Sequence, residues 1–345
     1  MRTIVVAAGA VALAGAVLAG VEGRARHLAL PIFSDPSLPG APSSPLGDGP
    51  RCATRELGRV PARPTALLRA DDGALWVGTF DQGVWRMAGN AAQEVPGLAG
   101  RERFVNALAE MEGLVWAGTQ RGAVAFEGGA RAFSALSGAA VTALAPAPGA
   151  LVAGTSRGVA LISRRGTRWV ALEGVASEPR VTAVAAAAGI VWVGTADGIL
   201  AAPLDAVLRS SAPARPIPLV FGEPPARTNV VVALAPLGQH AVAGTDDGGL
   251  VLVGPDGKVS ALRLDLPRAN EVNPGSAAAA AGGAALGTQG AGLLLARELG
   301  GRLVAVRAGG LPSASVSALA PDGDALLAAT EDGIVLRVRC GDQLM

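Results

Sequence analysis

A chain of 345 residues, half of them hydrophobic, only 17% charged and with a net charge of +1, suffices for one large domain and shows no basic face for nucleic acid. With no Tyr, 6 Phe and 5 Trp, its interior has to be built from Ala, Val and Leu, with Gly where backbones approach closely. The 2 histidines, one of them close to the N-terminus, speak against His-based zinc sites and Ser-His-Asp triads.

In chain order, Arg2 precedes an apolar run over residues 4–20 that closes on Ala19 and Gly20, with Glu22, Arg24 and Arg26 after it. Residues 1–27 read as a secretory signal peptide. The run of about 17 residues is also near the lower limit for a spanning helix, so an uncleaved signal anchor stands beside cleavage. Any membrane attachment is expected through this segment alone, and no Cys follows it to carry a lipid. Residues 28–50 hold 6 prolines with Ser, Gly and Asp and read as an extended, disordered tether.

From residue 51 to 345 one pattern recurs, an apolar run, then Gly-Thr, then a Gly-centred turn. Its threonines are Thr79, Thr119, Thr155, Thr195, Thr245, Thr288 and Thr330, with Ala329 replacing the Gly in the last copy. The spacings are 40, 36, 40, 50, 43 and 42 residues. An all-β texture with this period predicts a seven-bladed β-propeller of four-stranded antiparallel blades. Blade three parses as 141–146, 151–155, 158–163 and 167–173 from the innermost strand outward. The last repeat lacks an outermost strand, and residues 51–58 precede the first blade without one of their own. They are expected to complete blade seven and close the ring, which removes an open edge. Cys52 and Cys340, the only cysteines, would then lie side by side and form a disulfide.

The pattern Leu75-Trp76-Val77-Gly78-Thr79 with Gly83, repeated as Val191-Trp192-Val193-Gly194-Thr195 with Gly198, resembles the propeller repeats of bacterial two-component regulators. That resemblance covers all seven repeats. It implies a propeller that senses or binds in the periplasm, joined in that family to a kinase through a membrane span. No kinase follows the last blade here, so signalling would need a separate output protein.

No catalytic or metal motif stands out. His240 lies in a turn. The pairs Asp71–Asp72, Asp246–Asp247 and Glu331–Asp332 sit beside Gly, where Asp favours turns for backbone reasons, and no D-x-D-x-D-G loop is present. Trp76, Trp116 and Trp192 share one position in the second strand and are expected to pack between blades. No cofactor and no catalytic residue is expected.

The turns between second and third strands and the blade-to-blade connections should share one face. There Arg121 and Arg157 make blades two and three basic, whereas Asp197, Asp246 and Asp247, with turns of blades seven and one, are acidic. This predicts an electrostatically divided face that orients a partner. The long connections 204–229 and 267–276 add Arg227, Asn229, Arg268, Asn270, Glu271 and Asn273, and residues 204–211 are expected to form a helical turn or two. The reading is an exported, non-enzymatic propeller, periplasmic or extracellular, that binds a protein partner. Two alternatives remain. One is a lyase or hydrolase using carboxylates at the central channel. The other is a small-ligand sensor, for which Phe104 and Phe221 are the aromatics near the long connections.

Overall fold

The computed structural model describes residues 47–175, 179–219, 229–266 and 268–341. The signal or anchor segment, most of the tether, Phe221 and Arg227 lie outside these residues. After β1 (Gly47–Arg51) and β2 (Ala53–Arg59), blade one comprises β3 (Pro64–Arg69), β4 (Leu75–Thr79), β5 (Val84–Ala88) and β6 (Ala91–Val95). Blade two holds β7 (Val105–Met111), β8 (Leu114–Thr119), β9 (Gly122–Glu127) and β10 (Ala130–Ala135). Blade three holds β11 (Val141–Ala147), β12 (Ala150–Thr155), β13 (Gly158–Ser163) and β14 (Gly166–Trp169). Strand β15 (Ala171–Glu173) leads to blade four, with β16 (Val181–Ala187), β17 (Ile190–Thr195), β18 (Gly198–Pro203), helix α1 (Leu204–Leu208), β19 (Ser211–Pro213) and β20 (Arg215–Ile217). Blade five has β21 (Val231–Leu237), β22 (His240–Thr245), β23 (Leu250–Val253) and β24 (Val259–Leu262). Blade six has β25 (Val272–Ala280), β26 (Gly283–Thr288), β27 (Leu293–Leu299) and β28 (Arg302–Gly309), and blade seven β29 (Val316–Asp322), β30 (Ala325–Thr330) and β31 (Ile334–Arg339).

Strand β2 pairs antiparallel with β31 and supplies the fourth strand of blade seven, as the sequence predicts. Ala53 faces Arg339, which places the next residues, Cys52 and Cys340, in a disulfide with a Cα–Cα separation of 4.2 Å. The end of the expected tether is ordered. Residues 47–51 form β1, which adds in parallel to the outer edge of β28 and makes blade six five-stranded.

Two strand boundaries differ from the sequence reading. The expected outermost strand of blade three, 167–173, divides at Val170. Its first part is β14, while β15 leaves the blade and pairs in parallel with β19. The connection 204–229 conceals the outermost strand of blade four, β20. Pro216 is tolerated there because an edge strand does not need every N–H.

The core is divided rather than single. Each of its seven hydrophobic clusters fills the cleft between two neighbouring blades. Trp76, Trp116 and Trp192, each no more than 2% exposed, lie in these clefts as expected. The recurrent Gly of Gly-Thr has a steric cause. A Cβ on Gly154 would lie 2.5 Å from a methyl of Val181, the first residue of the next blade. Gly78, Gly118, Gly194, Gly244 and Gly287 likewise face Val105, Val141, Val231, Val272 and Val316. Blade one begins with Pro64 instead of Val, and the preceding blade carries Ala329 instead of Gly.

The threonine fastens the following turn. The buried Thr155 hydroxyl donates to the Gly158 carbonyl at 2.9 Å and accepts the Arg157 N–H at 3.0 Å. The same double bond recurs at Thr79, Thr119, Thr195, Thr245 and Thr288. Thr330 instead donates to the Asp332 carboxylate at 2.5 Å.

A second series of side chains joins blade to blade around the channel. Thr65, Asn106, Thr142 and Thr182 each donate to the carbonyl of the first residue of the next blade's innermost strand, Val105, Val141, Val181 and Val231 in turn. Asn273 does the same to Val316 at 2.8 Å. Val232 has no donor to offer blade six, and Ser317 turns to Ala329 within its own blade.

Candidate functional site

The turn face forms because, in five of the blades, a backbone hydrogen bond ties the second-to-third-strand turn to the connection entering the blade. Phe80 N–H donates to the Arg63 carbonyl, Gln120 to Phe104, Ser156 to Ala140, Asp246 to Val230 and Gln289 to Glu271. Arg121, Arg157 and Asp197 are exposed on these turns, and Asp246 and Asp247 are half-buried. The Arg157 guanidinium lies 5.3 Å from the ring centre of Trp169, which is 41% exposed at the top of β14. A positive charge over an indole face is favourable, so this pair presents a charge on an apolar plate.

The division of charge is narrower than the sequence implies. In blade seven, Glu331 pairs with Arg63 at 2.8 Å and Asp332 with Arg59 at 3.5 Å, so these acids contribute little net field. Blade one's turn is crossed by Arg103, which donates to the Asp81 carbonyl and to Gln82 and pairs with Glu94. Arg131 makes a two-pronged bond to Glu102, at 2.7 and 3.0 Å, and this bond holds the Glu102 carboxyl below its usual range. The face thus carries Arg121 and Arg157 on blades two and three, and Asp197 and Asp247 on blades four and five, with Asp246 beside the latter.

The long connections contribute unevenly. Asn270, 9% exposed, spends its amide inside its own loop, accepting from the Leu264 N–H at 2.7 Å and donating to the Leu264 carbonyl at 2.8 Å. Its side chain is committed to that loop. Arg268 is exposed, with a positive φ of 60°, and packs over Gly290. Glu271 and Asn229 are half-buried, and Asn229 Oδ1 finds no hydrogen-bond partner among the described residues. Asn273 is 1% exposed and belongs to β25, not to the loop where the sequence placed it. Sequence reasoning overlooked Phe80, which is 53% exposed on the blade-one turn and meets Phe104 edge-to-face at 5.5 Å. Its position directly after Gly78-Thr79 was the available signal.

The innermost strands enclose a cavity of about 360 Å³ along the axis. Ala and Leu dominate its wall, with Thr65, Asn106, Thr142 and Thr182 near the turn face and Arg69 and Glu110 at the opposite end. Residues 273–276 bulge out of the β25–β26 ladder toward the axis. Gly275, with φ +71°, stands so near that an added Cβ would lie 3.8 Å from the Asn106 carbonyl and 3.9 Å from that of Thr65. This bulge narrows the mouth on the turn face. At the other end Asp322 accepts Arg69 Nε at 3.0 Å and Arg337 Nε at 2.6 Å. Burial works against its ionisation, yet these two hydrogen bonds hold its carboxyl below the ordinary value. Burial pushes the Glu110 carboxyl up, against the Asp71 N–H that donates to it at 2.7 Å. Among the described residues no three His, Cys, Asp or Glu side chains gather to hold a metal ion, and no helix is long and apolar enough to cross a membrane.

The fold and this face define a seven-bladed propeller with a structured turn surface and an axial cavity. No known protein family and no curated protein matches the sequence. Solved structures do match in fold. The extracellular domain of BT4673 from B. thetaiotaomicron, described as a hybrid two component system, superposes with a TM-score of 0.66 at 16% identity, over 84% of this chain and 39% of that one. The chain thus spans about two fifths of that domain. Virginiamycin B lyase from Staphylococcus aureus gives 0.66 at 13% identity, over 84% of this chain and 99% of the lyase. The WD40 propeller of Doa1 gives 0.62 at 14%, over 85% and 98%. Similarity at this identity is a likeness of fold, shared by an extracellular domain of a two component system, a lyase and a WD40 domain alike.

Proposed function

We propose that this chain is an exported binding propeller that docks a protein partner on its turn face, in the periplasm or outside the cell. The observation that supports this reading is the preorganised charge pattern. Arg121 and Arg157 stand on turns of blades two and three fastened by buried threonines and by backbone bonds, and Asp197, Asp246 and Asp247 follow on blades four and five. Charges on rigid turns steer and orient a partner with little ordering cost on this side. The disulfide supports an oxidising compartment. The likeness to extracellular domains of two component systems supports a sensing or scaffold role. The carboxylate-enzyme alternative has less support, because Asp322 is engaged by two arginines and the charges acting on Glu110 are Asp71 and Asp72.

The test is crosslinking of the tagged full chain in its native envelope, with partners identified by mass spectrometry. One stoichiometric partner is expected. It should be lost when Arg121 and Arg157 are both changed to Glu, with the melting temperature preserved. Undiminished capture by that double variant would remove the turn face from the reading.

A further inference from the structure

The axial cavity holds one acid that nothing in the fold neutralises. Arg69, on the equivalent position of the neighbouring blade, turns the other way and is bound to Asp322 and to the Gly73 carbonyl. Among the described residues, Glu110 has the Asp71 N–H as its only hydrogen bond and forms no ion pair. At the other end Thr65, Asn106, Thr142 and Thr182 each commit a donor to the next blade, and none of them carries a charge. What remains open to a guest is an apolar tube with a single carboxylate on its wall. The tube is narrowed at the turn face by the 273–276 bulge, while Pro146, Ala279 and Pro321 are exposed at the far end.

We infer that the axial cavity is a binding site for a small amphiphilic amine, its apolar body among Ala107, Leu108, Leu144 and Leu319 and its ammonium on Glu110. The volume lies near the small end of ligand pockets, and a largely apolar lining with one oriented polar group is their usual composition. Charge complementarity selects the class. An ammonium would supply the missing counter-charge, a neutral alcohol only a hydrogen bond, and a carboxylate would repel. Burial raises the protonation tendency of Glu110, with the charges of Asp71 and Asp72 acting in the same direction, and an ammonium bound beside it would oppose that shift. This site stands apart from the partner face and does not depend on it.

Isothermal titration of the full chain with octylamine, octanol and octanoate at neutral pH tests the site. Octylamine should bind most tightly and octanoate not at all. Glu110→Gln should cost octylamine about tenfold in affinity, the order expected for losing one charged partner, and leave octanol unchanged. Ala279→Phe, built at an exposed position of the open end, should weaken octylamine and octanol together while the melting temperature holds. Reversal of Arg121 and Arg157 should change none of these values. Absence of octylamine binding, equal binding of the three probes, or octylamine affinity unaffected by Glu110→Gln or by Ala279→Phe would each overturn the inference.

Discussion

Replacing Thr155 with Val keeps the shape of the side chain and removes both turn bonds, those to the Gly158 carbonyl and from the half-buried Arg157 N–H. Loss of these two bonds should cost about 1–3 kcal/mol, to be read as a shift of the urea midpoint without change in slope. Gly154→Ala should cost a comparable roughly 1–3 kcal/mol by overpacking against Val181, with part recovered in the double variant carrying Val181→Ala. Both residues were legible as a repeat in the sequence, and the structure supplies the reason for each. The exchange of Gly for Ala329 was legible too. Its explanation was not, because Pro64 stands some 265 residues away and only ring closure brings its blade beside Ala329. Exposed Trp169 under Arg157 was equally hidden. The sequence places Arg157 in a turn and Trp169 on an outer strand, and only the β13–β14 register sets the ring beside that turn.

At the scale of strands, the junction of blades one and seven joins Arg69 on β3, Asp322 on β29 and Arg337 on β31. The carboxyl of Asp322 ionises more readily folded than unfolded, so the trio stabilises above the unfolded pKa, about 4, and that contribution disappears as the pH falls through the lower folded value. Asp322→Asn should flatten the acid limb of the stability profile, measured by denaturant titration between about pH 5 and 2. Glu110 has the opposite sign. Burial raises its folded value, so its ionisation opposes folding as the pH rises through that value, and Glu110→Gln should leave stability at neutral pH equal or higher. Strands with alternating texture were readable from residue identity alone. Strand β20, with Pro216 at its centre, and β1, with Gly and Pro among its five residues, were not. Edge strands take their hydrogen bonds on one side only and so leave a weak imprint on composition.

Across the whole ring, side-chain bonds link blades one to five in sequence and blade six to seven. The seam between blades five and six lacks one at Val232 on the innermost strands, though His240 meets Glu298 at 3.1 Å and Ser260 accepts the Leu303 N–H farther out, and the seam between seven and one is joined by Arg69 and Asp322. Native-state hydrogen exchange should therefore find the innermost strand of blade six opening before that of blade three. Changing Cys52 and Cys340 to Ser should cost roughly 2–5 kcal/mol in reversible unfolding. The seven-fold architecture and the closing strand were visible in the spacing of threonines and in the two cysteines. The lining of the axial cavity was not, since each innermost strand adds a short run of residues and its character emerges only where distant repeats meet.

Because Cys52 and Cys340 are bonded across a separation of 288 residues, tension applied between the two ends of the propeller passes through a covalent bond and not through the ring. A pull on the chain ahead of Cys52 meets only β1, held along the edge of β28, before it reaches that bond. Stretching should thus peel a single short strand and then stop, with all seven blades still shut.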